Sequence, residues 1–218
     1  MKKNKKTYEV AICESITKPL FHEIGRENGR AGLQEDEHRC EGYIQEKIAD
    51  LLRTKLPDVT LLTCNKKLTK DKESERLIPD ILVHRIGGGI WGVIELKTLL
   101  LEDDLSVVEV NDDLKKLCTY KRDFPATAAV FMLVGSRAKL FNIQRKIAWD
   151  SLKIKYEPEL FIGPSPQPQE LETKGFVALP CGSFNVDSFD LCIFMWEVVH
   201  KGQMVPLSST YRFTAEMA

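Results

Sequence analysis

The chain lacks the residue groupings that build the commonest metal and nucleophile centres. Its six cysteines are Cys13, Cys40, Cys64, Cys118, Cys181 and Cys192. They form no C-x-x-C pair, and none stands near a histidine at zinc-ligand spacing. A structural zinc site is therefore not expected, and the cysteines read as reduced core residues of a cytoplasmic protein. The four histidines are scattered, which speaks against an imidazole-based centre. Cys181-Gly182-Ser183 has no partnered histidine, so no activated nucleophile is expected there. Gly87-Gly88-Gly89 lacks the Lys-Ser/Thr of a phosphate-binding loop. An excess of one charge is missing too: 31 Lys and Arg against 32 Asp and Glu leave a formal net charge of -1. That excludes a globally basic coat for nucleic acid and leaves only local patches. No apolar run approaches the roughly 18 residues of a membrane span. The start, Lys2-Lys3-Asn4-Lys5-Lys6, is too charged for a secretory signal and reads as a frayed tail. Internal repeats are absent.

What is there is a chain of 218 residues, 43% of them hydrophobic, enough for a real core in one domain or one domain plus a lobe. A helix is expected over 35–55, where Ile44, Ile48, Leu51 and Leu52 recur at helical spacing and Pro57 marks the end. Glu41 shares the apolar face of that helix. Val59-Thr60-Leu61-Leu62-Thr63-Cys64 reads as a strand. Lys66, Lys67, Lys70, Lys72 and Arg76 are interleaved with Asp71, Glu73 and Glu75, the pattern of a solvated loop. Residues 99–104 read as another loop. A second helix is expected over 107–122, with Val110, Leu114, Leu117 and Cys118 inward. Ala128-Ala129-Val130-Phe131-Met132-Leu133-Val134 reads as a buried central strand. A further helix is expected over 137–155. Gly163-Pro164-Ser165-Pro166-Gln167-Pro168 suits only an extended connection. Of the remainder, Asn28-Gly29-Arg30-Ala31-Gly32 reads as a loop, and Leu191-Cys192-Ile193-Phe194-Met195-Trp196 as a buried element.

The most informative stretch is Ile78-Pro79-Asp80-Ile81-Leu82-Val83-His84-Arg85, followed after Gly87-Gly88-Gly89 by Ile90-Trp91-Gly92-Val93-Ile94-Glu95-Leu96-Lys97-Thr98. Both halves read as strands of one hairpin, since Gly-Gly tolerates the positive φ of a tight turn. A two-residue turn on Gly87-Gly88 places Asp80 directly opposite Glu95, with Lys97 on the same face. Facing carboxylates repel, and apolar neighbours raise the cost. A hard divalent cation between them would remove the conflict.

Pro79-Asp80 followed by Glu95-x-Lys97 resembles the signature of the PD-(D/E)xK nuclease superfamily. The resemblance extends to element order over 35–135, about half of the chain. It implies an α/β restriction-endonuclease-like core, a central mixed β-sheet flanked by helices, with a C-terminal extension. The corresponding division is an N-terminal segment 1–34, a nuclease core 35–160, a Pro-rich connection 161–174, and an extension 175–218 packed on the core. The implied activity is metal-dependent hydrolysis of phosphodiester bonds, with DNA favoured over RNA. Asp80 and Glu95 would hold Mg²⁺ (or Mn²⁺), with the Leu96 carbonyl as a further oxygen ligand. Lys97 would steady the water or offset negative charge on the phosphate. Glu41 matches the accessory acid that many members carry on the first helix. Some relatives bear Gln-x-x-x-Tyr on the helix after the Lys strand; here Lys116 stands in the Gln position, four before Tyr120. Lys115, Lys116 and Tyr120 are the candidate substrate contacts. A homodimer would suit cutting two strands, and no membrane partner is expected. Two alternatives stay open: a catalytically silent relative that binds nucleic acid or serves assembly, and an interaction protein acting through its C-terminal piece.

Overall fold

A computed structural model of the chain describes residues 5–10, 12–30, 41–56, 59–63, 78–99, 105–136, 154–155, 163–164, 168–185, 191–203, 205, 207–209 and 211–216. Its main sheet is mixed and seven-stranded. In chain order its strands are β2 (Val59–Thr63), β3 (Ile81–Arg85), β4 (Ile90–Leu99), β5 (Ala128–Gly135), β8 (Gln169–Glu170), β9 (Phe176–Asn185) and β10 (Cys192–His200). Across the sheet the order is β2-β3-β4-β5-β10-β9-β8, and only β4 and β5 run parallel. That parallel pair requires a crossover, and α3 (Val107–Asp123) supplies it. Two short ribbons lie apart from the main sheet. One pairs β1 (Lys5–Val10) with β11 (Tyr211–Glu216), the other β6 (Ile154–Lys155) with β7 (Gly163–Pro164).

Helices cover both faces. Helices α1 (Ile12–Arg30) and α2 (Glu41–Lys55) pack on one, in a core with Ile81, Val83, Ile94, Leu96, Val130, Met132 and Ile193. On the other, α3 packs with Leu82, Val93, Leu99, Phe131, Phe194 and Trp196. The faces alternate residue by residue along β3 and along β4 from Val93 to Leu99, as a strand buried on both sides requires. Glu95 and Lys97, between Val93 and Leu99 in that alternation, therefore point to the α3 side.

The order helix, strand, hairpin, helix, strand found between α2 and β5 is the order expected from the sequence. Several expectations change. Lys5 and Lys6, read as part of a frayed tail, lie in β1. Asn28-Gly29-Arg30 belongs to α1 rather than to a loop. Ile154 and Lys155, expected at the end of a helix over 137–155, pair instead with Pro164 and Gly163 as a small ribbon; the remainder of that expectation, 137–153, lies outside the described residues, as do the expected solvated loop 66–76 and residues 31–40. The C-terminal piece is inside the sheet: β10 sits between β5 and β9, hydrogen-bonded to both.

The hairpin turn is wider than two residues. Gly88 N–H donates to the Arg85 carbonyl and Arg85 N–H to that of Gly89, so Ile86, Gly87 and Gly88 form the loop. Gly87, Gly88 and Gly89 all have positive φ, 95°, 111° and 90°, which explains the triplet. A bulge between Val83 and His84 absorbs the extra residue. Beyond it Val83 faces Gly92, Leu82 faces Val93 and Ile81 faces Ile94. This is the register a two-residue turn would produce, so Asp80, one residue before β3, continues it opposite Glu95.

Candidate active site

The site lies where β3 begins and β4 runs on past it. Pairing between the two strands stops at Ile81 and Ile94. The next β4 amide on that side, Leu96 N–H, donates instead to Asp80 Oδ2 at 2.6 Å. A residue in an extended strand sends its N–H and C=O to the same side. The Leu96 carbonyl therefore points toward the Asp80 end of the hairpin, where the sequence reading puts a metal ligand. From the opposite face of the sheet, the first turns of α2 reach the same place: the Gln45 side-chain amide donates to the Asp80 carbonyl. Glu41 is half-buried at the α2 N-terminus, and its charge acts on Lys97.

From the other side α3 contributes two groups. Asp113 is 3% exposed. Its Oδ2 lies 3.2 Å from Lys97 Nζ, and its Oδ1 accepts from Lys116 Nζ at 2.6 Å. Lys116 Nζ is in turn 3.7 Å from Glu95 Oε2. The sequence reading contains neither Asp113 nor Gln45. The signal for Asp113 was helical spacing: it falls three after Val110 and four before Leu117, on the face that turns inward.

Electrostatics follow from burial. Glu95 is 1% exposed, and Oε1 has no hydrogen-bond partner among the described residues. Desolvation, with the Asp80 charge beside it, pushes its carboxyl up to about 9. Without a cation Glu95 is thus neutral at pH 7. Burial also raises Asp80, against the pull of the Leu96 amide and the lysines. Burial works to lower Lys97, but the charges of Asp113 and Glu41 outweigh it and the net shift is upward. Lys116 moves the same way, its burial outweighed by the Asp113 hydrogen bond and the Glu95 charge. Both lysines therefore carry positive charge.

The fit to a divalent cation can be judged on these groups. Among the described residues no three His, Cys, Asp or Glu side chains converge as a metal cluster. An ion here would have the Asp80 and Glu95 carboxylates, the Leu96 carbonyl, water and substrate oxygens. That is the sparse set Mg²⁺ accepts beside phosphates. With Glu95 ionised by a bound ion, four carboxylates (Glu41, Asp80, Glu95, Asp113) against two ammonium groups would leave two negative charges, what one divalent cation neutralises. The fit is good, and the orphaned Glu95 Oε1 is the atom it would satisfy.

Two further sequence candidates do not join the site. Lys115 points along the outer side of α3, 3.5 Å from Asp112 and 3.6 Å from Glu172. Tyr120 is 1% exposed within the α3-side core. Of Lys115, Lys116 and Tyr120, only Lys116 reaches the acidic pair.

Comparison of the chain with protein-family models, with curated proteins and with solved structures returns no match.

Proposed function

We propose that this protein is a metal-dependent nuclease with a restriction-endonuclease-like core, hydrolysing phosphodiester bonds of nucleic acid. One observation carries the reading: a buried Glu95 with an unsatisfied oxygen, flanked by Asp80 and two lysines, at the end of otherwise apolar strands. A sheet gains nothing in stability from such a group unless a ligand completes it. The resemblance of Pro79-Asp80 and Glu95-x-Lys97 to the nuclease signature supports the same reading, and DNA is the favoured substrate.

A Mg²⁺ ion held by Asp80, Glu95 and the Leu96 carbonyl would supply an acidified water and neutralise phosphate charge. The chain's own groups do the rest. Lys97 is held charged by Asp113 and Glu41, so it acts as a donor to developing negative charge and not as a base. Lys116 brings a second ammonium to the same side. Glu41, whose charge acts on Lys97, would orient water at the rim. Apolar Ile81, Val83, Ile94 and Leu96, all 2% exposed or less, fix the strands that carry the acids.

A second reading has its own support. Both lysines are already paired with Asp113, and a closed ion network suits a silent protein that binds nucleic acid without cutting it. Incubation with Mg²⁺ or Mn²⁺ and plasmid, single-stranded DNA or RNA separates the two. Wild type should cleave at least one substrate, while Asp80→Ala and Lys97→Ala should not. Turnover by Asp80→Ala at the wild-type rate would remove the site assignment. Binding without cleavage by wild type would favour the silent module.

A further inference from the structure

We propose that Asp113 is the positioning residue of this site, a clamp that holds Lys97 and Lys116 in one fixed arrangement. Each of its oxygens pairs with one ammonium: Oδ1 accepts a hydrogen bond from Lys116 at 2.6 Å and Oδ2 forms an ion pair with Lys97 at 3.2 Å. This rests on the nuclease reading above and adds a residue that the Pro79-Asp80 and Glu95-x-Lys97 resemblance does not contain.

Lys97 and Lys116 are the mobile partners. Each has a flexible four-carbon stem and a point charge free to wander. Lys97 sits on β4 and Lys116 on α3, two elements joined by a crossover, so nothing in the backbone alone fixes the spacing of their ammonium groups. Asp113 does. Its side chain is 4% exposed, against 23% for Lys97 and 37% for Lys116. The more buried, shorter residue is the anchor, and the two longer, more open ones are anchored. The anchor itself is rigid. Val110, Leu114 and Leu117 surround it on α3, each 3% exposed or less, and bind the helix to the sheet. Stability alone does not account for a buried carboxylate here, because a well-packed apolar residue in such a place is often as stable or more so. The arrangement also has direction: with Oδ1 engaged, Lys116 lies 3.7 Å from Glu95 Oε2, toward the acidic pair and not toward solvent.

Loss of the clamp should therefore cost orientation rather than attraction. The two charges stay near the site and still draw phosphate, so KM should change little. The rate should fall about 10- to 100-fold, the size of effect expected when a reacting geometry loosens by about an ångström.

The experiment compares wild type with Asp113→Asn and Asp113→Glu in two measurements. The first is kcat and KM for cleavage. The second is independent of cleavage: acylation of lysines by an N-hydroxysuccinimide acetate, read residue by residue by mass spectrometry. We expect Asp113→Asn to lower kcat with KM and melting temperature nearly unchanged, and to raise the acylation rates of Lys97 and Lys116 together. Asp113→Glu keeps the charge and should fall between, which preserves the test if the amide variant fails to fold. Wild-type kcat in Asp113→Asn, or unchanged acylation of both lysines, overturns the proposal. So does a loss of activity that only tracks a loss of melting temperature. If wild type cleaves nothing, the nuclease reading fails first and the catalytic meaning of the clamp fails with it, whatever the acylation shows.

Discussion

Glu95 is the residue on which the site turns. It is nearly inaccessible, burial pushes its carboxyl up to about 9, and one of its oxygens has no partner among the described residues. A neutral isostere should therefore be tolerated without metal. We expect Glu95→Gln to melt in EDTA at or above the wild-type temperature, to lose cleavage, and to gain no stability from Mg²⁺. Wild type should be raised by the ion, by about 2.7 kcal/mol when Mg²⁺ is a hundredfold above its dissociation constant. Thermal melts of both proteins with and without Mg²⁺ check this, and equal stabilisation of the variant would remove Glu95 from the ligand set. Glu41 belongs to a different tier. It acts on Lys97 through its charge from the end of α2. Glu41→Gln should slow cleavage less than Asp80→Ala does. An equal or larger loss would make Glu41 a direct ligand.

At the scale of elements, α3 decides whether the lysines reach the acids. Its start is a capping box: Ser106 Oγ accepts from Glu109 N–H at 3.2 Å, and Glu109 Oε2 accepts from Ser106 N–H at 2.8 Å. Ser106→Ala should cost about 1 kcal/mol in a urea melt, the usual worth of such a cap. The Ser106 N–H also holds the Glu109 carboxyl below the ordinary value. A depressed carboxyl stabilises the fold above its unfolded pKa, and the contribution is lost as pH falls through the folded one. The difference between wild type and Glu109→Ala should thus shrink below about pH 4.5, near the unfolded Glu value. A difference that grows on acidification would contradict the capping role. The site's elements were legible for the same physical reason they are stable. Ile44, Ile48 and Leu52 mark α2 by period, and the unbroken apolar run of β5 fits a strand buried on both faces. Helix α1 was harder to read because Pro19 and Gly29 look like breakers. Yet Ile12, Ile16, Leu20 and Ile24 recur every fourth residue and are all 1% exposed or less. Asp113 stayed hidden because a charge at an inward helical position reads as an interruption until its cationic partners are placed beside it. The register of the hairpin came out right although the turn did not, since a bulge cancels the extra loop residue, and no local motif announces a bulge.

For the whole molecule the question is whether the C-terminal piece can be detached. Strand β10 hydrogen-bonds β5 on one side and β9 on the other, and Phe194, Trp196 and Val198 fill the α3-side core. A buried polar link joins the two halves. Lys121 on α3 and Glu197 on β10 are both fully buried, with Nζ 3.8 Å from Glu197 Oε1. Lys121 also donates to the Thr127 carbonyl at 2.9 Å. Glu197 Oε2 accepts from both the backbone N–H and the hydroxyl of Ser208, at 2.7 and 2.6 Å. Breaking such a pair from one side leaves an uncompensated group, so Lys121→Met should cost about 3–5 kcal/mol. Lys121→Met with Glu197→Gln should recover part of that loss, because the amide oxygen still serves Ser208. A chain ending at residue 174 removes β9, β10 and Glu197 together. It also exposes the β5 edge, a fully apolar strand with open backbone groups. We expect that chain to be unfolded or aggregated although it keeps Glu41, Asp80, Glu95, Lys97 and Asp113. Circular dichroism melts and amide dispersion in NMR check it. A cooperative melt and dispersed spectrum from 1–174 would mean that the acidic hairpin and its two helices form a core without the C-terminal strands.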